Sequence, residues 1–158
     1  MSFQAKLIID DLEFNILTVE FAISRPVDIH NRPNGHLRGG IIDLTIETGV
    51  DHELINWIAN NQTRDGRIEF YRRDASSSTQ KIVYFTNAFC IYRKELFIAN
   101  GSTPMTTKIT ISAHALRIDN ETIQNTWAGI ESESGSGTAG AGGSPTRASA
   151  SENSVQFD

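Results

Sequence analysis

Between residues 39 and 48 the chain reads GGIIDLTIET, and Ile42, Leu44 and Ile46 alternate with Asp43, Thr45 and Glu47. A period of two marks a strand with one face buried and the other wet. Gly49 interrupts the pattern, and over residues 51–61 the period lengthens. Asp51 stands where an N-cap would, Glu53 lies in the first turn where the helix dipole favours an anion, and Leu54, Ile55, Trp57 and Ile58 recur at helical spacing before Asn60-Asn61. A helix of about three turns is marginal by itself in water. The stripe of Leu54, Trp57 and Ile58 is therefore expected to pack on strands, with the helix as a lid on a β-structure.

The rest of the chain supplies those strands. Phe3, Ala5, Leu7 and Ile9 alternate with polar neighbours up to Asp10-Asp11, a tight turn into a second strand over residues 12–24. In that strand the apolar parity changes, from Phe14 and Ile16 to Leu17, Val19, Phe21 and Ile23, which predicts a bulge or bend near Leu17. After the helix, a turn at residues 63–66 leads into RIEFYRRD, and a second turn at residues 75–79 leads into residues 81–98. This aromatic and β-branched run reads as one long bent strand, interrupted near Asn87. Asn100-Gly101 forms a hairpin-type turn, and Ile109, Ile111, Ala113 and Ala115 then alternate with Lys108, Thr110, Ser112 and His114, placing His114 on the polar face. Six or so mostly antiparallel strands and one helix make two packed sheets or a small β-barrel. The barrel is preferred because closure removes edges.

Two segments fall outside this pattern. Residues 25–38, RPVDIHNRPNGHLR, hold two prolines, Asn34-Gly35 and scattered charge, and form a loop that is long for a compact domain. It is either a disordered excursion or an arm that docks on a neighbour through residues such as Arg25, Pro26, His30, Arg32, Pro33, Asn34, His36 and Arg38. Residues 129–158 are mostly Gly, Ser, Ala and Thr, too poor in apolar side chains to build a core. The domain is therefore expected over residues 1–128, followed by a flexible tail. Ile130 near the domain, and Val155 with Phe157 further on, are the tail's candidate anchors.

Charge narrows the function. Residues 1–128 carry 13 Lys and Arg against 15 Asp and Glu, a net of −2, and residues 129–158 carry Arg147 against Glu131, Glu133, Glu152 and Asp158, a net of −3. Nucleic acid is not an expected partner without a concentrated basic face. The opening MSFQAKLIIDD meets acids within ten residues, unlike a signal peptide or a membrane span, so the subunit is expected to be made in the cytoplasm with no membrane insertion. The lone Cys90, inside an apolar strand, reads as a core filler.

Chemistry-bearing patterns are scarce. No G-x-S-x-G, phosphate-binding loop, dinucleotide fingerprint or H-E-x-x-H occurs, and His30 and His36 have no third clustered ligand, so no catalytic residue, metal or cofactor is assigned. A carboxylate pair made by Asp43 or Glu47 with Glu69 stays open, since any two strands can meet. A small-ligand-binding barrel is a further alternative, and it would need a deep apolar pocket.

Five stretches together resemble a known family: MSFQAKLIIDD, the GGIIDLTIET strand, the Trp57-Ile58 step of the helix, TRDGRIEFYRRDA and TPMTTKITISA. They resemble the Hcp-like (TssD) tube proteins of type VI secretion, specifically those of Bacteroidetes. The likeness runs from Met1 to about Trp127, and its most specific parts are residues 64–75 and 103–113. It implies a β-barrel subunit with a flanking helix and no catalysis. It also implies six-membered rings stacked into a hollow tube inside a contractile sheath, with spike and baseplate proteins as partners and secreted effectors in the lumen. The assembled tube would be cytoplasmic, then exported on contraction. In such families the loop after the second strand, here residues 25–38, reaches toward the adjacent ring, and polar sheet faces line the lumen. The tube of an extracellular contractile injection particle shares the fold and is the nearest alternative. The tail at residues 129–158 departs from the family pattern.

Overall fold

The computed structural model describes residues 3–49, 52–72, 78–103 and 105–127. Its elements run β1 (Phe3–Ile9), β2 (Leu12–Phe21), β3 (Ile41–Glu47), α1 (His52–Ala59), β4 (Arg64–Arg72), β5 (Thr79–Phe97), β6 (Met105–Ile118) and β7 (Glu121–Gln124). Every pairing is antiparallel, in the order β3-β2-β1-β4-β5-β6-β7, and a further β3–β6 ladder closes the sheet on itself. Six strands thus form a barrel. The seventh, β7, extends the same edge of β6 that β3 occupies further along, Ser112 pairing with Ile41 and Ala115 with Gln124.

The β1–β2 turn is the expected one. Ile9 pairs with Leu12, and Asp10 takes a left-handed φ of +52°, a conformation that Asp tolerates better than most residues. The register of β2 against β3 shifts between Ile16 and Thr18, the bulge that the parity change at Leu17 predicted. The regular strand stops at Phe21, short of the expected Ser24. The missed strand β7 follows Asp119-Asn120, where Asp119 has a φ of +53°. Asp and Asn are turn residues that tolerate the left-handed conformation.

On β5 the buried apolar positions facing the barrel core are Val83 and Phe85, then Ala88 and Cys90; on β6 they are Ile109, Ile111 and Ala113, then Leu116. Both strands exchange parity at one rung, where Asn87, with φ +48°, lies opposite His114 between the pairs Thr86·Ala115 and Ala88·Ala113. The Oδ1 of Asp65 holds the bend by accepting a 2.7 Å bond from the Asn87 N–H. The interruption near Asn87 is therefore a bend within one strand. It also corrects the placing of His114 on a solvated face. His114 points away from the barrel interior yet is buried, because the Trp127 ring lies against it with centroids 5.3 Å apart.

The barrel is filled by Leu7, Ile9, Ile42, Leu44, Ile46, Ile68, Val83, Phe85, Ile109, Ile111 and Leu116, each essentially inaccessible. The helix adds Leu54 and Trp57 to this core, with Ile58 half-buried beside it and Ile55 outside. At eight residues it is shorter than expected, ending where Asn61 turns left-handed at φ +48°. The expected N-cap Asp51, and the tail anchors Ile130, Val155 and Phe157, lie outside the described residues. No helix among the described residues is long and apolar enough to cross a membrane.

Antiparallel closure sorts the connections onto two ends of the barrel. The end of β2, the start of β3 and the intervening residues 25–38 share one end; the β1–β2 turn, the end of β3, the helix and the β5–β6 connection share the other.

Candidate assembly surface

Residues 25–38 form an ordered ribbon. At its root Ser24 and Arg38 exchange two backbone bonds of 2.8 and 2.7 Å, and a second bridge joins Val27 to Pro33. Asn34 N–H donates to the Pro26 carbonyl at 2.7 Å, and Gly35 supplies the left-handed φ of +87° that turns the chain back.

The tip is organised by one carboxylate. Asp28 Oδ1 accepts from the backbone N–H groups of His30 and Arg32 at 2.8 and 2.9 Å, and Oδ2 accepts from Arg32 Nε at 3.2 Å. Asp28 N–H donates to the Arg32 carbonyl, and its own carbonyl accepts from Asn31, whose φ is +61°. The Arg32 backbone N–H, then that of His30 and the Arg32 side chain, hold the Asp28 carboxyl below the ordinary carboxylate value of 3.8.

This wiring presents apolar side chains to water. Ile29 is 93% exposed and Val27 is 58% exposed. Arg25, His30, Arg32, Pro33, Asn34, His36 and Arg38 are all exposed, while Pro26 is half-buried. The structure thus brings the expected arm residues together on one ribbon, but the residues that shape its tip are Asp28, Val27 and Ile29. Sequence reading passed over them, and the signal available was Asp28 four residues before Arg32, a spacing at which the side chain ties a local turn.

Further apolar side chains are exposed elsewhere on the barrel, among them Phe3 on β1 and Ile91 on β5. Leu17, Ile23 and Ile41 are exposed on β2, β3 and the arm root, while Tyr92, Leu96, Phe97, Ile98 and Met105 are exposed around the β5–β6 connection at the other end. At that other end, a hollow of about 270 Å³ is lined by Leu12, Glu13, Phe14, Asn15 and residues 47–49. The helix is fixed nearby, where Arg64 donates to Asp10 at 3.0 Å and to Glu53 at 2.8 Å.

The candidate carboxylates do not meet. Strands β3 and β4 have two strands between them whichever way the barrel is traversed. Asp43 accepts from Thr110, Glu47 from Asn15, and Glu69 from Arg67 and Tyr71. Cys90 is buried, and burial pushes its thiol above its usual range. Among the described residues no three His, Cys, Asp or Glu side chains converge as metal ligands.

The family model described as "Hemolysin coregulated protein Hcp (TssD)" matches residues 1–128. The chain belongs to this Hcp family. Among solved structures, "Hcp1 from Flavobacterium johnsoniae" is 28% identical at a TM-score of 0.70, over 77% of this chain and 99% of that one. "Hcp1 from Salmonella typhimurium" is 12% identical at 0.63, over 78% and 92%, and the sheath/tube terminator of an extracellular contractile injection system, PVC, is 19% identical at 0.51, over 72% and 91%. These last two establish likeness of fold alone. No curated protein sequence matches the chain. Hcp is a type VI secretion tube family and not an enzyme family, and this member has the Hcp barrel with the hydrogen-bonded ribbon of residues 25–38 at one end.

Proposed function

We propose that this Hcp-family chain is the inner-tube subunit of a type VI secretion system, closing into six-membered rings that stack into a conduit for effectors. Residues 25–38 serve as the arm that bridges one ring to the next. The observation that carries this reading is the ribbon itself: a surface loop rich in hydrogen bonds that holds Ile29 almost wholly in water. Fixing backbone costs about 1 to 2 kcal/mol per residue, and an exposed isoleucine recovers none of it until a partner covers it.

Two further features support stacking and closure. The arm and the hollow at Leu12, Phe14 and residues 47–49 occupy opposite ends of the same pair of strands, so translation along the barrel brings one toward the other. Exposed apolar side chains lie at both ends of the barrel, Ile23 and Ile41 at one and Leu96, Phe97 and Met105 at the other, and a heterologous interface between unlike surfaces gives a ring when its rotation closes. Sheath, spike and baseplate proteins are the expected partners outside, with assembly in the cytoplasm and export on contraction. The small-ligand reading is less well supported, since the barrel interior is packed with side chains and the hollows, about 270 to 330 Å³, are open surface depressions.

Electron microscopy of the chain with residues 25–37 replaced by a short turn tests the arm. Six-membered rings that no longer stack are the expected result; normal tubes from that variant refute the arm, and monomers alone from the native chain at high concentration refute the ring.

A further inference from the structure

The outer face of β5, β6 and β7 contains a hollow of about 330 Å³ lined by Tyr84, Thr86, Ala115, Arg117, Thr122 and Gln124. Tyr84 lies opposite Arg117 in the β5–β6 register, and the guanidinium carbon sits 4.3 Å from the centre of the tyrosine ring. Stacking of this kind fixes the plane of the guanidinium while leaving its N–H edges open to an acceptor. Arg67, the next residue in the same cross-strand row, gives its side chain to Glu69. Arg117 has no carboxylate partner among the described residues and is exposed. A stacked, unpaired arginine flanked by two threonine hydroxyls and a glutamine amide is suited to a carboxylate.

The described chain ends beside this hollow. Gln124 lines it, and three residues later Trp127 lies on the same outer face, tilted against His114 and against Phe89 at 5.7 Å. The sequence that follows, Gly129-Ile130-Glu131-Ser132-Glu133, belongs to the segment of net charge −3. Glu133 is six residues beyond Trp127, a reach of up to about 20 Å, whereas Arg117 is only about 10 Å along β6 from His114.

We propose that residues 130–133 of the chain's own continuation dock in this hollow, with Arg117 taking the carboxylate of Glu131 or Glu133 as a bidentate partner. The short tether sets an effective concentration on the order of millimolar, so even a contact with a millimolar Kd is about half formed. The docking is intramolecular, electrostatic and exchangeable, and it is independent of the tube reading.

Digestion of the full chain by a glutamate-specific protease, followed by mass spectrometry, reads this directly. Cleavage after Glu131 and Glu133 is compared with cleavage after Glu152, an internal clock in the same segment. The expected result is a ratio that rises about two- to fivefold in Arg117→Gln and in 0.5 M salt, rises less in Arg117→Lys, and does not change on dilution. A ratio unmoved by Arg117→Gln overturns the proposal, and a ratio that rises on dilution of the native chain shows docking between copies instead and overturns it too. Should Arg117→Gln fail to fold, the reciprocal variant Glu131→Gln/Glu133→Gln leaves the barrel untouched. Modification of Arg117 by phenylglyoxal must then run about two- to fivefold faster than in the native chain, and an equal rate overturns the proposal.

Discussion

The indole Nε1–H of Trp57 donates a 3.0 Å hydrogen bond to the backbone carbonyl of Ala88, just past the bend at Asn87. One side chain thus fills the core between helix and barrel and satisfies a backbone acceptor on β5, at Ala88, the last residue of β5 that pairs with β4.

Trp57→Ala is therefore expected to cost about 3 to 5 kcal/mol of stability, the range for large-to-small core changes. Trp57→Phe keeps most of the apolar area but leaves the Ala88 carbonyl unpaired, at a cost of about 1 to 3 kcal/mol. Thermal or urea unfolding of both variants checks the order, and a melting temperature unchanged by Trp57→Ala would mean that the helix is not held through this residue.

Gly66 is required by close approach. A Cβ added there would stand 2.5 Å from Phe85 Cζ and 2.7 Å from the Ile8 carbonyl oxygen, and backbone cannot move aside as a flexible side chain can. Gly66→Ala is expected to destabilise the barrel by about 1 to 3 kcal/mol through overpacking. Gly49→Ala, whose Cβ meets nothing within 4 Å, is the control that should change little. Denaturant midpoints of the two variants separate a steric cause from a general effect of replacing glycine.

The barrel was readable because its strands obey period two and each departure has a local cause. The bulge at Leu17 and the bend at Asn87 appear in the sequence as changes of apolar parity. β7 was not readable in the same way, since four residues with one buried side chain, Ile123, give almost no period. His114 was misread because alternation assigns a face, whereas burial depends on what covers that face, and Trp127 lies 13 residues away. For residues 25–38, composition marked a long loop but not its shape, since the order of residues 28–32 comes from Asp28 bonding to backbone N–H groups. Hydropathy does not register such bonds.

Arg64 joins the β1–β2 turn to the first turn of the helix through Asp10 and Glu53, whose side chains are 63% and 51% exposed while its own is 14% exposed. Exposed carboxylates are screened, so Arg64→Ala is expected to cost only about 1 kcal/mol. The double variant Asp10→Asn/Glu53→Gln should remove nearly the same amount, and adding Arg64→Ala to it should cost little more. Unfolding free energies that simply add across the cycle would show that the two pairs do not act through Arg64.

Acid should uncouple the arm from the barrel. The Asp28 carboxyl is held below 3.8 in the fold, chiefly by the Arg32 backbone N–H. A carboxyl whose value is lowered by folding stabilises the ordered form at every pH above its ordinary value, and that contribution disappears as the pH falls through the lowered one. The ribbon should therefore keep its order at neutral pH and lose it only below 3.8, when protonated Asp28 no longer accepts fully from His30 and Arg32. Asp28→Asn imitates this state at neutral pH: the amide oxygen still accepts, but without charge, and it cannot pair with Arg32. On the arm reading, Asp28→Asn tubes should stack more weakly while melting at nearly the native temperature, and Asp28→Ala tubes more weakly still. Tube length by electron microscopy and thermal unfolding, measured on the same samples, check both halves. A fall in melting temperature that matches the loss of tubes would place Asp28 in the stability of the barrel and not in the shape of its arm.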